Sequence, residues 1–295
     1  MSFIQDIKRK FQGGDALMRL LLINVGVFLL INIYLLLLFI TKAEPTAFLG
    51  DNLALAASSN WEVLLIRPWS VVTHMFAHVQ FGHFLFNMIA LYFMGQLFVS
   101  LQGSKRLLNL YVLGGLSGFA LFFIAYNVFE VFRTIQGTYV LGASAAVMAI
   151  TVAAATLQPK REIYLFGAIR LELMWLAAIL ILLDLASVRS GINSGGHIGH
   201  IGGAIFGFIY ARQLQKGKEM GSWLTSLFER VSRLFSGKRM KVVSNNGRPK
   251  TDEQFNLEKK ERQRRTDEIL DKISRSGYDS LSKGEKEFLF KNAQK

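Results

Sequence analysis

The sequence predicts an all-α integral membrane protein, a bundle of six transmembrane helices followed by a small helical cytoplasmic appendage. Three observations carry this reading. Of 295 residues, 51% are hydrophobic and only 19% are charged, against about 25% charged in a soluble domain, and the mean hydropathy is +0.31. Six apolar stretches come near the roughly 20 residues that a spanning helix needs. Beyond residue 215 the composition turns polar: residues 216–295 hold 20 Lys+Arg and 12 Asp+Glu, against 14 and 9 in the longer part before them. The apolar content and only four prolines exclude a disordered or fibrous chain. Zero cysteines exclude a disulfide scaffold, thiol catalysis and thiolate metal sites. The net charge of +13 is read as basic flanks facing an anionic lipid surface. No nucleic-acid-binding signature accompanies it, so the expected partners are a lipid bilayer and membrane proteins, and no nucleic acid.

The first span is expected from Leu20 to Ile40, behind Lys8, Arg9, Lys10 and Arg19. Its apolar run is too long for a signal peptide, whose core is about 7–15 residues, so it reads as a retained anchor. The others are Val71–Leu101, Leu107–Phe129, the alanine-rich Val140–Leu157, Leu171–Val188 and the glycine-rich Gly195–Arg212. Basic residues collect at the N-terminus, at Lys105/Arg106, at Lys160/Arg161/Arg170 and in the tail. By the positive-inside rule that side is cytoplasmic, with both termini on it, and the expected location is the plasma (inner) membrane of a bacterium. The connection over residues 41–70 carries Phe48, Leu49, Trp61, Leu64, Leu65, Ile66 and Trp69. Tryptophan favours the headgroup level, so this loop is expected to lie partly in the outer leaflet. The domains read as 1–19, a cytoplasmic segment; 20–215, the membrane core; and 216–295, a basic and mostly helical tail. Within the tail, Trp223, Leu227, Val231, Leu234 and Phe235 mark an interfacial amphipathic helix, Ser244–Pro249 marks a linker, and Gly277 separates two further helices.

Polar groups at membrane depth are costly and mark function. Here they are Ser144, His78, His83, Asn87, His197, His200 and Asp184. Gly203 and Gly207 are four apart, a small-residue face that lets helix backbones approach closely, and His200 lies three residues before Gly203 on the same face. Docking that face on the Ala/Ser helix at 142–155 brings His200 beside Ser144, and imidazole beside hydroxyl is the minimum for an activated nucleophile. His83 and Asn87, four apart, share one helix face. Both can donate hydrogen bonds, as an oxyanion pocket requires.

The combination resembles the rhomboid family of intramembrane serine proteases. Gly142-Ala143-Ser144 stands in the fourth span, His200-Ile201-Gly202-Gly203 with Gly207 in the sixth, and His78, His83 and Asn87 in the second. The resemblance covers about residues 15–215. It implies a six-span core with an embedded first loop and a Ser-His dyad without an acidic third member. Ser144 would be the nucleophile and His200 the general base. His83, Asn87 and the Ser144 N–H would form the oxyanion hole, with His78 structural. No metal or cofactor is implied, and Asp184 need not act. Two departures stand out: Ala145 replaces a glycine usual in the family, and Met148 stands where an aromatic ring usually stacks on the histidine. The expected function is an intramembrane serine endopeptidase that cleaves transmembrane segments of other membrane proteins. The alternative is a catalytically inactive rhomboid-like protein that binds membrane helices. A third reading, a metal-dependent membrane hydrolase or transporter built on the five histidines, of which His74, His78 and His83 lie in one span, lacks an HExxH signature and a carboxylate partner.

Overall fold

The computed structural model describes residues 15–42, 55–134, 138–165, 168–235 and 252–292. Six long helices follow the six apolar stretches: α1 (Ala16–Thr41), α2 (Phe81–Gln102), α3 (Ser104–Val128), α4 (Ser144–Leu157), α5 (Leu173–Val188) and α6 (Ser194–Gln215). Asp15 caps α1 by accepting the Leu17 N–H at 3.0 Å, which satisfies one of the donors that a helix start leaves free. Three helices, α1 to α3, are long and apolar enough to cross a membrane, while α4 and α5 are shorter apolar helices of 14 and 16 residues. Large apolar side chains point outward from them: Leu30 is 70% exposed, Phe86 71% and Phe39 82%. A continuous surface of this kind is not one that a soluble monomer carries.

The centre of the bundle is α4. Every residue from Ala145 to Ala155 is buried, and α2, α3, α5 and α6 all pack against it. Small residues make this possible. A Cβ placed at Gly203 would lie 2.1 Å from the Ala145 carbonyl oxygen, and one at Gly207 2.2 Å from that of Ala149. On another side, a Cβ at Gly118 of α3 would meet Ala145 Cβ at 2.5 Å and the Gly199 oxygen at 2.7 Å. Backbone thus rests on backbone where α3, α4 and α6 meet, as in small-residue packing of membrane helices. The glycine face expected for the sixth helix docks on the Ala/Ser helix as read from the spacing.

The second helix starts ten residues later than expected. Ser70–Thr73 is one helical turn, His74–Phe76 a 3-10 turn, and Ala77 and Gln80 are extended. This break spends its backbone groups on other elements. The Met75 carbonyl accepts Tyr111 Oη–H at 2.8 Å, and the His74 carbonyl accepts the Gly142 N–H at 2.8 Å. Asn24 of α1 donates from Nδ2 to Tyr111 Oη at 3.1 Å, so one polar knot ties α1, α3 and the break together.

Two short antiparallel pairings complete this unit. Strand β1 (Ala57–Ser58) pairs with β2 (Tyr139–Val140), which joins the connection after α1 to the segment leading into α4. Strands β3 (Glu162–Leu165) and β4 (Ile169–Glu172) form a hairpin between α4 and α5. Trp61, Leu65, Ile66 and Trp69 of the first connection are exposed. Phe48 and Leu49, like Lys8, Arg9 and Lys10, lie outside the described residues. Helix α7 (Ser222–Phe235) belongs to the first compact unit, residues 1–235. It packs on α3 through buried Leu224 and through Thr225 Oγ1, which donates to Asn109 Oδ1 at 3.0 Å, while Trp223 and Leu227 of its expected apolar stripe are exposed.

The second unit, residues 236–295, holds α8 (Asp252–Ser276) and α9 (Lys283–Asn292) around Ile269 and Leu281. Gly277, at φ +77°, ends α8 in a backbone conformation that favours glycine. Ser282 and Glu285 form a capping box at α9: the Ser282 N–H donates to Glu285 Oε2 at 2.7 Å and the Glu285 N–H to Ser282 Oγ at 3.4 Å. The expected linker at Ser244–Pro249 lies outside the described residues.

Candidate active site

Ser144 is the first residue of α4, reached through Gly142 at φ +118°. No side chain fits at Gly142, since a Cβ there would lie 2.7 Å from His83 Cε1. The turn is pinned twice. Gly142 N–H is held by the His74 carbonyl, and Ala143 N–H donates to His78 Nε2 at 3.2 Å. His78 is fully buried, so its expected structural role takes the form of a bond to the residue before Ser144. Its other ring nitrogen, Nδ1, has no hydrogen-bond partner among the described residues. With the preceding N–H groups tied down, the first-turn N–H groups beginning at Ser144 are the ones that a helix start leaves without an internal acceptor.

Ser144 and His200 line the same small cavity, together with His74, Gly142, Gly196 and Gly199. Its interior holds about 20 Å³ for the centre of a water-sized sphere, room for about one water molecule. Glycines form much of the wall, which keeps the backbone close to the reacting groups. Among the described residues no hydrogen bond joins Ser144 Oγ to His200. Catalytic hydrogen bonds are often long in a free enzyme and tighten when substrate binds.

The structure places four residues otherwise than the sequence reading: Asp184, Asn87, His83 and His74. Asp184, which the family resemblance does not require as a third catalytic member, lies 7% exposed about one turn before the C-terminal end of α5. Its Oδ1 accepts from His200 Nδ1 at 2.8 Å and from His197 Nδ1 at 2.7 Å. The three ligand atoms lie within 4.8 Å of one another, a spacing that a metal ion could bridge. Asn87, expected to donate into an oxyanion pocket, donates one N–H from Nδ2 to the His83 carbonyl at 2.8 Å, which is the local bond open to a polar side chain one turn along a helix. His83 keeps its ring against Gly142, two residues from the nucleophile, and its ring stands edge-on to His78 at 5.4 Å. Neither His83 nor Asn87 is among the residues lining the cavity. His74, read from the sequence only as part of a metal site, is buried in the cavity wall, its Nδ1 bonded to the Ser70 carbonyl at 3.1 Å. Met148 packs with Val152, Leu173, Ala177 and Ala204 between α4, α5 and α6. It fills that core at the position where the family usually carries an aromatic ring.

Comparison with known proteins fits this arrangement. The model of the Rhomboid domain matches residues 66–216, just over half of the chain, and a model described as a family of unknown function matches residues 250–295. RHOMBOID-like protein 12, mitochondrial, of Arabidopsis thaliana is 28% identical over 214 residues, which are 69% of this chain and 60% of that protein. Presenilin-associated rhomboid-like protein A, mitochondrial, of Danio rerio is 31% identical over 151 residues, 49% of this chain and 37% of that protein. Rhomboid protease AarA of Providencia stuartii is 26% identical over 217 residues, 68% of this chain and 74% of that protein. The chain thus spans less than two thirds of the first two relatives. Two of the three are named as mitochondrial, so these names support a membrane protein and do not support the expected bacterial plasma membrane. With its Rhomboid-domain match lying over the helices that carry Ser144 and His200, the chain belongs to the rhomboid family.

Proposed function

We propose that the chain is an intramembrane serine endopeptidase that cleaves transmembrane segments of other membrane proteins. The observation that carries this reading is the shared cavity of Ser144 and His200, with the two helices docked backbone on backbone at Ala145, next to Ser144, and Gly203, one turn after His200. His200 Nε2 takes the Ser144 hydroxyl proton as Oγ attacks a peptide carbonyl, and returns it to the leaving amine. The oxyanion forms at the start of α4, where the Ser144 N–H and the positive end of the helix dipole stabilise it, with His83 as the side-chain donor beside Gly142. A 14-residue helix is only about 21 Å long, against about 30 Å of hydrocarbon. With the polar stretch Gln158–Arg161 at one interface, Ser144 lies below the opposite one, at a depth where a substrate's own helix would run. By charge distribution, both termini lie on the cytoplasmic side in a six-span topology.

The alternative is a rhomboid-like protein that binds membrane helices without cleaving them. One observation favours it: Asn87, an expected oxyanion donor, gives one amide N–H to the His83 carbonyl and does not line the cavity of Ser144. The deciding experiment incubates the purified chain with a fluorophosphonate probe and with a transmembrane reporter. Labelling at Ser144 and reporter cleavage, both lost in Ser144→Ala while membrane insertion is kept, are the expected results. Undiminished turnover by Ser144→Ala would refute the serine mechanism.

A further inference from the structure

We infer that Asp184 is a positioning residue for His200, holding the imidazole in the tautomer whose Nε2 is free to accept the Ser144 proton. This rests on the protease reading above, and it extends the two-residue dyad by an acidic member. Helix α5 is apolar throughout except for Asp184 and Ser187, near its C-terminal end. A carboxylate at such a place is expensive unless it is fully paired. Here it is paired through one oxygen, with both imidazoles approaching by Nδ1, at 2.7 and 2.8 Å, distances typical of hydrogen bonds to an ionised acceptor.

A neutral imidazole has one donor nitrogen and one acceptor nitrogen. Because a carboxylate can only accept, it fixes the proton of His200 on Nδ1 and leaves Nε2 as the base. Of the two rings, only that of His200 lines the cavity with Ser144. His197, one turn earlier and edge-on to His200 at 5.9 Å, supplies a second donor to the same oxygen and steadies the carboxylate. Orientation that a stacked aromatic would give from the α4 side is thereby given from α5, and Met148 is free to serve as packing. When Oγ–C bond formation drives the serine proton onto Nε2, the resulting imidazolium is formed beside Asp184, which stays ionised throughout; the proton then leaves on the amine.

The test uses the full chain reconstituted in lipid, with Asp184→Asn, Asp184→Glu and His197→Ala. Asn keeps the size of Asp184 but can offer either an acceptor or a donor to Nδ1. Asp184→Asn should lower kcat by about 10²–10⁴-fold with KM moved less than about threefold. Asp184→Glu should recover at least about tenfold over Asp184→Asn, and His197→Ala should stay within about tenfold of the parent. Independently of turnover, ¹⁵N spectra of histidine-labelled protein should show His200 protonated on Nδ1 in the unmodified chain and in Ser144→Ala, and not in Asp184→Asn. An Asp184→Asn kcat within about threefold of the parent, or His200 protonated on Nε2 in the parent, overturns the inference. So does a stoichiometric metal ion whose removal by a chelator abolishes turnover, since the carboxylate would then be a ligand. If the parent neither cleaves nor labels, the protease reading falls. The Asp184-dependent tautomer would still sustain the positioning, and a tautomer indifferent to Asp184→Asn would remove both.

Discussion

Gly203→Ala adds one methyl group at the tightest of the described glycine positions. That carbon would lie 2.1 Å from the Ala145 carbonyl oxygen, 2.9 Å from its carbon and 3.2 Å from its Cα. All three are backbone atoms inside a helix, so none can rotate away. Restoring ordinary van der Waals separation, roughly 3.3 Å, requires α4 and α6 to part by about 1 Å at this level. Ser144 is the residue before Ala145, and His200 is one turn before Gly203, so the displacement falls on the reacting pair. About 1 Å of misplacement at a reacting geometry costs on the order of 10²-fold in rate, or about 2.7 kcal/mol of barrier. Overpacking itself should lower stability by about 1–3 kcal/mol. The assay is single-turnover cleavage of a transmembrane reporter in proteoliposomes, with thermal unfolding measured in parallel. Gly26→Ala is the control, because a Cβ there has nothing within 4 Å. Gly203→Ala turning over within about threefold of the parent would show that the dyad spacing is not set by this contact.

Three further outcomes follow from the described contacts. His83→Ala should cost about 10²–10³-fold in rate, the size of one oxyanion donor, whereas Asn87→Ala should cost less than about tenfold, since Asn87 does not line the cavity and one of its amide hydrogens holds the His83 carbonyl; equal losses in reporter kinetics would contradict this. A chain ending near Gly217 should insert but unfold several degrees lower than one ending near Gly247, because it lacks the Leu224 and Thr225 contacts on α3. Matching thermal melts would remove the assignment of α7 to the core. In the second unit, the Ser282 N–H and then the Lys272 ammonium hold the Glu285 carboxyl at about 2, below its ordinary 4.5. A group depressed on folding stabilises above its unfolded value and loses that contribution as pH falls through the folded one. Amide protection of Lys283–Asn292 in the full chain should therefore fall between pH 4.5 and about 2, and be low already at pH 7 in Glu285→Gln. Equal protection in both chains at pH 7 would refute the capping role.

What could be read from the sequence were features encoded in local patterning. Apolar run lengths place all six long helices. The Gly203/Gly207 spacing places α6 on α4 because a missing side chain matters only where another backbone approaches. The break over residues 70–80 escaped because its residues are as apolar as a helix, and what stops the helix there is remote: Tyr111 on Met75, Gly142 on His74 and Ala143 on His78. Asp184 escaped for the same reason. Its partners are 13 and 16 residues away on the next helix, and nothing in the intervening loop signals which face of α5 turns toward α6. The β3–β4 hairpin offers only four residues per strand between two apolar helices, too few for an alternating pattern to stand out.

The backbone docking of α3, α4 and α6 has a mechanical consequence. At Gly118, Gly203 and Gly207 these three helices meet with nothing larger than an alanine methyl between them, so little there can compress or swing, and the helices resist being parted at that level. The parts left to yield are α5, α2 and the strip from β1 to the break before α2. Each carries an arm of the site: α5 holds Asp184, α2 holds His83, and the strip holds His74 and His78. Any entrance therefore opens by drawing one arm away from the serine. On the protease reading, a segment in transit would then meet an incompetent site, and bond cleavage would wait until the wall had closed again behind it.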